Sequence, residues 1–176
     1  MTQLAPAFFA DLRRALGNPA VDTSEETIAR YGRNLLPGGD RRPAGVVYSA
    51  STADVQTIVR LANQYRMPLY SLSTGENSGL GLKSPIRPGC TIVDVGARMN
   101  RILEIDETLC FAEIEPGVTY QQMYDELGRR GRPVASAHAV RPAEHHPAED
   151  DRGGCSLGGR DAIELLGAGR GVRVLD

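Results

Sequence analysis

The residues best placed for chemistry are Ser73, Thr74, Gly75, Glu76, Asn77, Ser78, Gly79 and Gly81, a run rich in hydroxyls and glycine that follows the apolar stretch Leu69–Leu72. Glycines at this density let a backbone bend sharply and come close to a ligand. Successive N–H groups in such a run can form a nest for an anion. The chemistry on offer is therefore the holding of a phosphate. No lysine follows in the P-loop pattern, and no helix pattern follows as a Rossmann fingerprint requires. On these residues alone, the plainer reading is a glycine-rich turn between strands.

Three other groups carry reactive side chains. Glu113 and Glu115 could pass for an acid–base pair. With Phe111, Ala112 and Ile114 alternating around them, they read instead as a solvated strand face. The cluster His138, Glu144, His145, His146, Asp150, Asp151 and Cys155 holds every histidine of the chain and donor types that suit zinc. Its spacing matches no closed-site pattern, so a solvated loop is expected. Tyr120 and Tyr124 stand at helical spacing and are expected to be core residues. Cys90, Cys110 and Cys155 are odd in number and widely spaced, which makes neither a disulfide framework nor a metal pattern. Idle thiols in a reducing, cytoplasmic compartment are expected. No catalytic residue and no metal site are assigned.

The elements that must position the glycine run come next. Gly45–Tyr48 reads as a strand. Ser51 or Thr52 can cap a helix, with Asp54 near its positive end and Val55, Ile58, Val59 and Ala62 as its apolar stripe. After Pro68, Leu69–Leu72 reads as the next strand. This is a βαβ unit, so its strands should be parallel with a right-handed crossover. The glycine run then leaves the carboxyl end of a strand, where ligands of α/β sheets bind. Ahead of this unit, Ala5–Leu16 reads as a helix stopped by Gly17 and Pro19. A second helix starts at Thr23 or Ser24, and a loop covers Leu36–Pro43. Beyond the unit, Thr91–Val95, Asn100–Asp106 and Phe111–Glu115 read as strands, and Pro116-Gly117 as a turn. Thr119 can cap a helix to about Arg130, with Tyr120, Met123, Tyr124 and Leu127 on its inner face. The class is α+β.

A length of 176 residues suggests one domain, and 41% hydrophobic residues suffice for a modest core. A net charge of −2 points away from nucleic acid. No apolar run is long enough to cross a membrane, and Met1–Pro6 lacks the pattern of a signal peptide. Of 20 basic residues, Lys83 is the single lysine.

Met67–Gly81, Thr91–Val95, Met99-Asn100, Ala112–Thr119 and Gln122–Asp125 resemble, in order and in their gaps, the FAD-binding half of the p-cresol methylhydroxylase and vanillyl-alcohol oxidase family. The resemblance covers roughly Tyr31 to Ser136. It implies FAD as cofactor, with the loop backbone over Ser73–Gly81 cradling the pyrophosphate and the Glu115-Pro116-Gly117-Val118 turn packing nearby. It implies oxidation of a small aromatic alcohol or alkylphenol. Two positions depart from the family pattern. Glu76 stands where the family has a basic residue, and a carboxylate opposes a pyrophosphate unless it faces solvent. Leu80 stands where phenol-oxidising members carry a tyrosine, and it has no donor for a phenolate.

The resemblance further implies an organisation. Residues 1–43 form a helical arm that clasps the domain, 44–136 a partial FAD-binding domain, and 137–176 an irregular tail. The family's substrate domain and the groups around the flavin ring lie in sequence that has no counterpart here, so the chain is expected to be incomplete, inactive alone and weak in FAD retention. A non-catalytic nucleotide-binding or interaction module is the alternative, as is a half-enzyme completed by a separate chain. The expected partners are FAD and an oligomeric or complementary flavoprotein fragment, with no nucleic acid and no membrane. The charged, arginine- and proline-rich composition after Ser136 is expected from a GC-rich gene read in a shifted frame, with a natural disordered tail of biased composition as the alternative.

Overall fold

The computed structural model describes residues 4–34, 37–75, 83–106, 108, 111–131 and 172–174. The chain divides into two compact units, residues 1–98 and residues 99–176. The class is α+β, as the sequence predicts.

The first unit opens with α1 (Leu4–Leu16), a 3₁₀ turn (Asn18–Ala20), β1 (Val21–Asp22) and α2 (Glu25–Gly32). It continues with β2 (Gly45–Tyr48), α3 (Thr52–Tyr65), β3 (Leu69–Leu72) and β4 (Thr91–Asp94). The helix starts follow from their caps. Ser24 Oγ accepts from Thr27 N at 3.3 Å, and Ser51 Oγ accepts from Asp54 N at 3.2 Å. These hydroxyls satisfy N–H groups that a helix leaves unpaired at its start.

The four strands lie in the order β1-β2-β4-β3. β2 and β3 both run parallel to β4, and β1 runs antiparallel to β2. The two strands of the βαβ unit are therefore parallel but not neighbours, because β4 inserts between them. In register, Tyr48 and Leu72 flank Asp94. Both faces of the sheet are covered, which is why Val46-Val47 and Thr91–Val93 read as unbroken runs. Val47 and Val93 join Phe8, Phe9, Leu12, Ile58 and Ala62 in one buried cluster. Val46, Ile92 and Leu72 join Tyr31 in another.

The expected arm is thus part of the core of this unit. Phe8 and Leu12 of α1 are fully buried. Phe8 meets Phe9 and the Tyr65 ring at centroid distances of 5.2 and 5.8 Å, and the Tyr65 hydroxyl donates to Asp11. The short strand β1 has too few residues for a period and was not legible in the sequence.

The second unit holds β5 (Ile102–Asp106), β6 (Phe111–Ile114), α4 (Tyr120–Arg129) and β7 (Val172–Val174). β5 and β6 pair antiparallel, and β7 adds to β6 in parallel. β7 belongs to the stretch without sequence period, and the rest of 137–176 lies outside the described residues. Thr119 caps α4 in a capping box: its Oγ1 accepts from Gln122 N at 3.1 Å, and Gln122 Oε1 accepts from Thr119 N at 2.9 Å. Met123 and Leu127 are buried as expected, whereas Tyr124 is 42% exposed and is no core residue. The Tyr120 side chain lies outside the described part. Among the described residues, no helix is long and apolar enough to cross a membrane.

Candidate functional site at the carboxyl end of β3

Pairing of β3 with β4 fixes where the glycine run begins. Thr91 N donates to Pro68 O at 2.8 Å, and Val95 N donates to Leu72 O at 3.0 Å. Beyond Leu72 the chain enters Ser73-Thr74-Gly75. Gly75 has φ +77°, a conformation that side chains other than glycine's rarely adopt. Glu76, Asn77, Ser78, Gly79, Leu80 and Gly81 lie outside the described residues, so the structure places only the entrance and the exit of the run.

A second segment passes against the entrance. A Cβ placed on Gly96 would lie 2.5 Å from the Ser73 carbonyl carbon and oxygen, and 3.0 Å from Thr74 N. The turn after β4 therefore packs its backbone directly on the backbone of Ser73 and Thr74, and only glycine fits there. Asp94 holds this turn, because its Oδ1 accepts from Ala97 N at 2.9 Å. Its Oδ2 accepts from the Tyr31 hydroxyl at 2.6 Å in a buried setting. Burial first, then the neighbouring Asp94 carboxylate, drives the Tyr31 phenol pKa far up, so the phenol stays protonated and donates.

The exit returns to the same place. The Lys83 side chain crosses Gly75, with its Cγ 2.5 Å from where a Gly75 Cβ would stand. Its Nζ sits over the Tyr31 ring, 5.4 Å from the centroid. Ser84 is buried, and its Oγ donates to Gly32 O at 3.3 Å at the end of α2. Gly75 and Lys83, the described residues on either side of 76–82, thus stand beside each other at the carboxyl end of the parallel strands. The glycine density of the run pointed to this place. Gly96, Asp94, Tyr31 and Lys83 carried no local signal, since they reach it through strand pairing and helix packing.

The donor set suits an anionic ligand. Thr74 Oγ1 is buried and has no hydrogen-bond partner among the described residues. A buried hydroxyl without a partner is costly and rare. It stands beside a backbone stretch that two glycines keep narrow.

The turn after β6 has a different character. Gly117 N donates to Met99 O at 2.7 Å, and Val118 N to Glu115 O at 3.1 Å. Glu115 is only 6% exposed. Its carboxylate accepts from Arg101 Nη2 at 2.6 Å, Arg101 Nε at 3.1 Å and Arg101 N at 2.8 Å. Glu115 is therefore a buried ion-pair partner that clamps the Pro116-Gly117 turn, not part of a solvated face. Arg101 holds its carboxyl below the usual range, which leaves it ionised and fully engaged. An acid–base role with Glu113 has no support in this geometry.

Cys90 is buried, which pushes its thiol up to about 11. It is an inert thiol at neutral pH. Among the described residues no group of acidic, histidine or cysteine side chains could hold a metal. His138, Glu144, His145, His146, Asp150, Asp151, Cys155 and Cys110 lie outside the described residues.

Comparison with known proteins gives a consistent result. Residues 43–142 match a family described as FAD binding domain. The flavoprotein subunit of 4-cresol dehydrogenase (hydroxylating) from Pseudomonas putida is 32% identical over 145 residues, covering 80% of this chain and 28% of that protein. The 1'-carboxy-chondrochloren decarboxylase of Chondromyces crocatus is 38% identical over 130 residues, covering 74% of this chain and 24% of that protein. A crystal structure of p-cresol methylhydroxylase with substrate bound superposes with a TM-score of 0.72 at 30% identity, over 76% of this chain and 26% of that one. The chain spans about a quarter of the length of these relatives.

Proposed function

This chain belongs to the FAD-binding domain family, and from that premise we propose that the run Ser73–Gly81 cradles the FAD diphosphate. Ser73, Thr74 and Gly75 form the entrance of the cradle. Glu76, Asn77, Ser78, Gly79 and Gly81 are proposed to supply further backbone N–H groups. In the second unit the Glu115–Arg101 pair holds the turn of Pro116 and Gly117, residues that the family resemblance assigns to the cofactor. The single observation that carries this reading is the Thr74 hydroxyl at the carboxyl end of β3, buried and without a hydrogen-bond partner among the described residues. A phosphate oxygen would satisfy it.

FAD, when bound, supplies two-electron redox chemistry. The contribution of this chain is to seat and orient the nucleotide end. Turnover of a small aromatic alcohol or alkylphenol requires more than this seat. We assign it to sequence equivalent to the remaining three quarters of the relatives, in the same polypeptide or in a partner chain. FAD is therefore held weakly and exchangeably by these 176 residues.

Equilibrium dialysis against FAD tests the proposal. Saturable binding is expected without a stoichiometric flavin band after purification, and Gly79→Trp should weaken it at least tenfold by blocking close backbone approach. Absence of FAD binding, or equal binding by Gly79→Trp, would contradict it.

A further inference from the structure

We propose that Lys83 is the cation that receives the FAD diphosphate at this loop. The inference rests on the cofactor reading above and adds the residue that supplies the charge. Three observations lead to it.

The first is position. Lys83 closes the glycine run at the point where it began, with its stem lying across Gly75. Gly75 is thus required twice, once for its φ of +77° and once for the space the lysine stem fills. The second is orientation. The Tyr31 ring seats the ammonium at 5.4 Å, and the Tyr31 hydroxyl is itself fixed by Asp94 at 2.6 Å. An ammonium over an aromatic face is held without an opposing charge. Its three donors are not consumed by the ring. Among the described residues, Lys83 makes no ion pair. The third is electrostatic. Glu76 adds a negative charge to a run that would meet a diphosphate, so the loop needs a compensating cation. Lys83 stands seven residues on, where the loop closes, and offers a compact point charge rather than a planar fork. It is the one lysine among the chain's 20 basic residues.

The test uses the 176-residue chain as wild type, Lys83→Met and Lys83→Arg. Each is dialysed against FAD and against ADP at low and at high salt, and folding is checked by circular dichroism. Methionine keeps an unbranched stem across Gly75 and removes the charge. The expected result is a loss of about tenfold to hundredfold in affinity for both ligands in Lys83→Met, the scale of one charge-assisted hydrogen bond. The salt dependence of wild-type binding should shrink with it. Lys83→Arg should recover most of the affinity. Unchanged affinity in Lys83→Met, beside a wild type that binds FAD, overturns the role of Lys83 and leaves the cofactor reading standing. Weakened affinity with an undiminished salt dependence also overturns it, because Lys83 would then act only in folding the loop. A wild type that binds neither ligand removes the cofactor reading and this inference together.

Discussion

Gly96 shows how one missing side chain sets the geometry of the site. It lets the turn after β4 lie on the backbone of Ser73 and Thr74, and a methyl group there would meet the Ser73 carbonyl at 2.5 Å. Gly96→Ala must separate two backbones that parallel pairing holds together. The expected cost is about 1–3 kcal/mol, the scale of overpacking. A lower melting temperature and weaker FAD binding should follow together. Gly128 provides the contrast. It lies in α4 with nothing within 4 Å of an added Cβ. Gly128→Ala should stabilise by about 0.5–1 kcal/mol. Thermal melts of the two variants check both signs. Gly75 was legible from its dense neighbourhood, whereas Gly96 was not. Its importance comes from β4 lying beside β3, which no local pattern encodes. Glu115 teaches the same point. Alternation around it suggested solvent, but the strand ends at Ile114, and the carboxylate turns inward onto Arg101.

Elements with capping chemistry were the most legible. Thr119 occupies the N-cap position the sequence marks, and Ser51 and Ser24 are each one of the two candidates for the starts of α3 and α2. The hydroxyls act over three residues, so their signal is local and survives any tertiary context. Thr119→Ala removes the half of the capping box in which Thr119 Oγ1 accepts from Gln122 N, and leaves the Gln122 bond to the Thr119 backbone N–H. It should destabilise by about 1 kcal/mol, or about 2–4 °C in a melt for a chain of this size. No change in the melt would show that Gln122 and its bond to Asn100 O suffice to start α4. Sheet order was the least legible feature at this scale. β2, β3 and β4 each read as short apolar runs, and such runs specify burial on two faces but not a partner. The insertion of β4 between the other two strands determines that Asp94, Gly96 and the glycine run share one end of the sheet.

At the scale of the molecule, the family match and the shared fold establish an FAD-binding domain related to 4-cresol dehydrogenase. The ordered motifs from Met67 to Asp125 made this legible, since several spaced matches are far more specific than one glycine pattern. The composition change after Ser136 is a separate matter, and we propose a shifted reading frame from about codon 137. Sequencing the coding DNA decides it. Continued family-like sequence in the neighbouring frame is expected, and an early stop there would refute the shift. The central claim concerns the diphosphate at the carboxyl end of β3, and phosphorus NMR of FAD reads that group directly. Titrating the chain into FAD should shift and broaden both diphosphate resonances, and Lys83→Met should diminish the effect. Resonances that stay unchanged with the chain in large excess would contradict the account.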